Sequence, residues 1–216
     1  MTNIIILAAV ALFLFWRLFT ILGNREGYEE EKKPNKPTNL KSVDLDASLK
    51  ETQDAEDSDI ADYIDAESES GTALKSMKKI DNNFTVRDFM SGAKKAYELI
   101  IVSFERGDLE KLEPLLTADV FEAFSNVINE RANKGYTVDV EFGGVRDMKI
   151  RHASYDEKDK IAEISISFVS DICSSVKDMD GKIIDGDPKK INKQKDKWTF
   201  YKNFSKKEPN WFLSST

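Results

Sequence analysis

One histidine and one cysteine, His152 and Cys173, are the only imidazole and thiol in this 216-residue chain. A tetrahedral zinc site would need at least two more such ligands, so no zinc site is expected. The run D-M-D-G-K-I-I-D-G-D, from Asp178 to Asp187, resembles part of a calcium loop, with Asp178, Asp180, Gly181, Ile183 and Asp187 at acceptable positions. Val176 stands where the first carboxylate must be, and no bidentate glutamate closes the loop. Its Asp-Gly steps read instead as a hairpin tip. His152 has no acid or nucleophile beside it in sequence, no G-x-S-x-G elbow occurs, and phosphate-cradling loops are absent. The tripeptides Asn83-Phe84-Thr85 and Asn203-Phe204-Ser205 match glycosylation sequons, which a cytoplasmic domain would never present to the machinery. The expectation is a chain with no catalytic residues, no metal and no cofactor.

What the sequence has in quantity is aromatic and aliphatic surface at regular spacing. Trp198, Phe200 and Phe204 stand on one side of an extended segment, with Thr199, Tyr201 and Asn203 on the other, as a strand of period two requires. Lys206 to Asn210 makes a turn, and Trp211-Phe212-Leu213 resumes the apolar run. Two tryptophans so near the end mark the last hairpin of a folded domain, because an indole buries enough surface to anchor a core.

The elements ahead of it follow the same logic. Thr85 is placed to cap a helix, with Asp88 at its positive end. Phe89, Ala93, Ala96, Tyr97, Ile100, Ile101 and Phe104 then recur at three and four, and Gly107 stops the run. Asp108 caps a short turn ending near Pro114. Thr117 caps another helix, with Val120, Phe121, Phe124, Val127 and Ile128 inward and Gly135 at its end. After Gly135 the period changes to two: Val138, Val140 and Phe142; then Met148, Ile150 and His152; then Ala162, Ile164, Ile166 and Phe168. Gly143-Gly144 can bend or bulge the strand. Helices followed by about four long antiparallel strands predict an α+β domain with helices on one face of a sheet.

Ahead of the domain lie two segments of different kind. Ile4 to Leu22 is apolar but for Arg17, and as a helix rising about 1.5 Å per residue it spans roughly 28 Å, enough for a hydrocarbon core of about 30 Å. No positive n-region precedes it and no small-residue cleavage site follows, so residues 1–22 read as a retained transmembrane anchor. Arg25, Lys32, Lys33 and Lys36 follow the span, which by the positive-inside rule puts the N-terminus outside and the C-terminal domain in the cytoplasm. Residues 23–80 read as a disordered acidic linker, since the stretch from Asp44 to Glu69 carries eleven carboxylates against Lys50 and too little apolar surface to offset ordering. Within it, Ile60, Tyr63 and Ile64 could fold onto a partner, and Leu74, Met77 and Ile80, interleaved with lysines, could touch anionic headgroups. Residues 81–216 are the domain.

The net charge of -7 sits mostly in that arm. From Asp81 on, the chain carries 24 acidic and 22 basic residues, and a domain without a basic surplus argues against nucleic acid as a partner. A single cysteine excludes an internal disulfide framework.

The run W-T-F-Y-K from Trp198, the short basic turn, and P-N-W at Pro209 to Trp211 resemble the end of the Tim44-like domain family. That family includes the import-motor tethering subunit of the mitochondrial inner membrane translocase and bacterial TimA-type adaptors. The likeness covers Phe84 to Thr216 in layout. Lys202 and Asn203 stand where the family's pattern has Arg then Asp. The resemblance implies a strongly curved sheet wrapped over the long helix, the nuclear-transport-factor-two-like cone. Such a cone can leave an apolar pocket, and Phe89, Tyr97, Ile101, Ile166, Trp198, Phe200 and Trp211 are the residues most able to line it. They either fill the core, hold a lipid or acyl chain, or, as in related cones with isomerase activity, support a buried acid with Tyr97 or Tyr201. The expectation that emerges is a single-pass protein of the bacterial inner membrane. It serves as an adaptor or scaffold, without enzymatic activity, for a membrane or chaperone protein partner, with membrane lipids as further partners and a lipid-binding module as the alternative.

Overall fold

The computed structural model describes residues 59–206 and 208–216. The expected anchor and most of the expected linker lie outside these residues. No helix among the described residues is long and apolar enough to cross a membrane.

The long helix forms where the capping signals put it. Helix α1 is Glu69–Ile80 and helix α2 is Val86–Arg106. The Thr85 hydroxyl accepts the Asp88 amide at 3.0 Å and meets the Asp88 carboxylate at 2.8 Å. Phe84 and Phe89 flank this cap with ring centroids 6.2 Å apart, the hydrophobic staple that fixes how the chain enters a helix. Gly107 ends α2 at φ 73°, a left-handed conformation that disfavours a side chain. Helix α3, Leu109–Leu112, is capped by Asp108, and a 3-10 turn, Glu113–Leu115, follows at Pro114. Helix α4 is Ala118–Asn133. Thr117 precedes it, but its hydroxyl makes no cap bond. Instead its amide donates to the Leu213 carbonyl at 3.0 Å, tying α4 to the last strand.

The strands are β1 Thr137–Asp156, β2 Ile161–Lys177, β3 Ile183–Gly186, β4 Asn192–Asn203 and β5 Phe212–Ser215. They form one antiparallel sheet in the order β1-β2-β4-β5, with β3 beside the end of β2. Helices α1 and α2 pack on β1, so the α+β expectation, with helices packed on a curved antiparallel sheet, is met. The two expected strands on either side of Gly143-Gly144 are one continuous strand. It is interrupted by irregularities at Phe142/Gly144, Val145/Asp147 and Ile150/His152. Each inserted residue bends the strand and flips the alternation of side chains. The last irregularity sets His152 on the exposed face and sends Ala153 inward, which corrects the reading of His152 as an apolar-side residue.

The domain also begins earlier than residue 81. Ile60, Leu74 and Met77 are fully buried, and Tyr63 and Ile64 pack against the same core. Ser70 on α1 accepts the Ala153 amide of β1 at 3.0 Å through its hydroxyl. The linker boundary is therefore corrected to lie no later than Asp59. The apolar residues proposed for a partner or for headgroups are spent on the protein's own core, leaving Ile80 half-exposed.

Candidate functional site

The start of α2 and the closing hairpin create a cleft of about 580 Å³. Its floor is aromatic. Trp211 lies 4.8 Å from Phe89 and 5.9 Å from Phe84 between ring centroids. Phe89 meets Phe200 edge-on at 6.0 Å. The small residues Gly92, Ala93 and Ala96 on successive turns of α2 keep the cleft open along the helix. Its rim is polar: Asp81, Asn83, Thr85 and Asp88 on one side, Lys202, Pro209 and Asn210 on the other.

The rim cation is already engaged. Lys202 is buried, donates to the Pro209 carbonyl at 3.2 Å, and lies 3.7 Å from Asp81 and 5.0 Å from the Phe204 ring centroid. The helix terminus is engaged as well. Asp59 accepts the Val86 amide at 2.7 Å and the Arg87 amide at 3.1 Å, so the amides that could have bound an anion hold an internal carboxylate. Lys78 pairs with the same carboxylate at 3.3 Å. What the cleft offers a visitor is thus aromatic surface bordered by the Asp88 carboxylate, the Asp81 carboxylate paired with Lys202, and a backbone turn. This chemistry suits an apolar side chain carried next to a basic group.

The structure divides the seven residues expected to line a pocket. Phe89, Phe200 and Trp211 line the cleft. Tyr97, Ile166 and Trp198 are in the core, and Ile101 is a half-buried residue packed against it. Tyr97 stacks on Phe168 with centroids 4.2 Å apart and planes 9° from parallel, and lies 4.5 Å from Trp198. Its hydroxyl donates to Asp196 at 2.6 Å and meets Ser170 at 2.9 Å, while Gln194 donates to the same carboxylate at 2.8 Å. The tyrosine and acid that an isomerase would require are adjacent, but Tyr97 is fully buried and neither residue lines the cleft. The geometry is that of a satisfied core network. Tyr201 faces Glu163 and Phe212 across its strand, away from this group.

Sequence reasoning missed Phe84, Asp81 and Lys202 as cleft residues. Phe84 was open to discovery: an aromatic just before a capping threonine, followed by another aromatic at the fourth helical position, is the staple pattern. Lys202 carried no such signal, because its burial depends on a carbonyl seven residues away in a turn.

The remaining chemical candidates take structural places. Cys173 is buried within β2, its thiol 3.4 Å from the Asp187 carbonyl. Asp178 accepts the amides of Asp180 and Lys182 at 3.0 and 2.9 Å, forming the turn of the β2-β3 hairpin around Gly181. Among the described residues no group of three His, Cys, Asp or Glu side chains is arranged to hold a metal.

Residues 70–216 match the family model of the Tim44-like domain. The chain is also similar to "Uncharacterized protein RP434" of Rickettsia prowazekii (strain Madrid E), 23% identical over 226 residues, covering 99% of this chain and 95% of that protein. Among solved structures it is similar to the intermembrane space region of the chloroplast protein ARC6. The TM-score is 0.38 at 14% identity, over 66% of this chain and 92% of that one.

Proposed function

The chain belongs to the Tim44-like domain family, and from that premise we propose that it is a membrane-associated adaptor whose aromatic cleft seats a segment of a protein partner. In this reading residues 1–22 anchor the chain in a bacterial inner membrane, and the acidic arm presents the domain, a nuclear-transport-factor-two-like cone, on the cytoplasmic side. The domain holds its partner near the bilayer, in the service of protein translocation or membrane-protein assembly, and performs no turnover of its own.

The observation that supports the reading is the cleft: a floor built from Phe84, Phe89, Phe200 and Trp211, under a polar rim in which the carboxylates of Asp81 and Asp88 outnumber the one cation, Lys202. Aromatic residues in a concave site are the usual anchors of protein recognition. The acidic rim suits a basic peptide better than an anionic headgroup. The same floor supports a second reading, a site for an acyl chain, because its rings offer equal apolar area to a lipid tail.

Native mass spectrometry of the full chain, gently extracted from its cells, separates the two. The adaptor reading expects a retained protein that is depleted in Trp211→Ala. A stoichiometric lipid lost in the same variant, with no protein retained, favours the acyl-chain reading.

A further inference from the structure

We propose that residues 44–58 of this chain dock on the outer face of the sheet, the face turned away from the helices. This surface is separate from the aromatic cleft, and the inference does not depend on what the cleft binds.

The strand β4 alternates Lys193, Lys195 and Lys197, all exposed, with the inward Gln194, Asp196 and Trp198. The register puts Lys197 opposite Ser167 on β2, and Lys149 of β1 opposite the same serine from the other side. With neighbouring strands about 4.8 Å apart, Lys149 and Lys197 have α-carbons roughly 10 Å apart on one face. Arg151, displaced by the irregularity between Ile150 and His152, turns back over this face and donates to the Ser167 hydroxyl at 2.8 Å. Arg146 pairs with Asp171 at 2.6 Å, and Lys149 with Asp147 at 3.5 Å.

The result is six cations against two carboxylates on the middle of the face, in a protein whose net charge is -7. Glu141 and Glu163 bracket it at the two ends of β2. Lys195 and Lys197 have no carboxylate in ion-pair reach among the described residues. Like charges sharing a sheet face disfavour the folded state unless an anion offsets them. Between the lysines the surface is low and hydroxyl-rich, with Ser165 and Thr199 bonded to each other at 2.8 Å, so an extended chain can lie across it.

The occupant is chosen by charge and by reach. Residues 44–58 carry Asp44, Asp46, Glu51, Asp54, Glu56 and Asp57 against Lys50. The segment ends at Asp59, which is pinned to Val86 and Arg87. Nearby, α1 is bonded through Ser70 to the β1 border of the sheet. Fifteen residues reach up to about 50 Å when extended, and a sheet packs with a thickness of about 10 Å, so the path round that border is short. Tethering supplies an effective concentration on the order of millimolar, which favours this segment over an untethered acidic partner.

Two measurements on the full chain in mild detergent test the proposal. Zero-length carbodiimide crosslinking at low salt should join carboxylates of residues 44–58 to Lys195, Lys197 or Lys149. Mixing light and heavy isotopic protein should give no mixed pairs, and the products should fall several-fold in about 1 M salt, where the Debye length is about 3 Å. Acetylation of Lys195 and Lys197 should run several-fold faster when the six carboxylates of the segment are changed to Asn or Gln. Mixed isotopic pairs would assign the face to a second copy. Protection of these lysines by phosphatidylglycerol vesicles but not by the segment would assign it to a membrane surface. Either result, or equal acetylation in the two proteins, overturns the proposal.

Discussion

Asp59 closes on the backbone of Val86 across 27 positions of chain, its Oδ2 2.7 Å from the Val86 amide nitrogen. A second oxygen takes the Arg87 amide at 3.1 Å, and Lys78 completes the group at 3.3 Å. Asp59 thus caps the longest helix among the described residues, satisfies two amides that have no helical partner, and fastens the segment carrying Ile60 to the core.

Replacing this carboxylate should therefore weaken the whole domain. Asp59→Ala is expected to cost about 0.5–2 kcal/mol, the range for a lost helix cap, read by urea unfolding followed by tryptophan fluorescence. Asp59→Asn should cost less, since its amide oxygen still accepts from the backbone. If alanine left the urea midpoint unchanged, residues 59–68 would not be part of the cooperative unit.

The same contact shows where sequence reading succeeded and where it stopped. The cap at Thr85, the stop at Gly107 and the apolar face of α2 were legible because each depends on residues within a turn or two. The start of the domain was not. The segment from Asp59 to Ile80 looked like a solvated arm because it continues an acidic run, eleven carboxylates against Lys50 between Asp44 and Glu69. Yet Ile60, Leu74 and Met77 are fully buried, and one of those acids is consumed by a helix end 27 residues on. The exposure of His152 was hidden for a similar reason: alternation along β1 holds only between irregularities, and their positions are set by pairing with β2. Of the expected pocket, the aromatic composition was legible. The division between Phe89, Phe200 and Trp211 at the cleft and Tyr97, Ile166 and Trp198 in the core depends on how the turn at Pro209 folds back.

The core network makes a prediction that distinguishes ring packing from hydrogen bonding. Tyr97→Phe keeps the stack on Phe168 but leaves Asp196 and Ser170 without the hydroxyl, and should cost about 1–3 kcal/mol. Trp198→Ala removes packing at the same place and should cost about 3–5 kcal/mol. Both are read from denaturant midpoints at neutral pH. A Tyr97→Phe protein as stable as the wild type would mean that the hydroxyl bonds contribute nothing net.

Glu105 predicts a pH effect of unusual sign for a paired carboxylate. Burial raises its pKa above the ordinary glutamate value, outweighing the Arg131 guanidinium 3.0 Å away. A carboxyl whose folded pKa is raised contributes stability that is full below the ordinary glutamate range and is lost as pH rises through the folded value. The stability difference between wild type and Glu105→Gln should therefore shift toward the glutamine variant as pH rises from the ordinary glutamate range toward neutrality. A difference that moved toward the wild type over that interval would contradict the assignment.

At the exposed pair of Asp171 and Arg146 the sign is the usual one. The Arg146 guanidinium holds the Asp171 carboxyl below its ordinary value, with a smaller push from Lys193. Whatever this pair contributes should be present above the ordinary aspartate range and lost as pH falls through the lowered value. Asp171→Asn should flatten that acid limb in a pH titration of stability. An unchanged limb would show that the pair is screened by solvent.

The adaptor reading is tested most directly by a photo-crosslinking residue at Asn210, on the rim of the cleft, with one at Glu122 on the exposed side of α4 as control, activated in living cells. The account predicts a discrete protein adduct from position 210, absent from 122 and strongly reduced when Trp211→Ala is added. Adducts to phospholipid alone at position 210, or the same protein adducts at both positions, would contradict it.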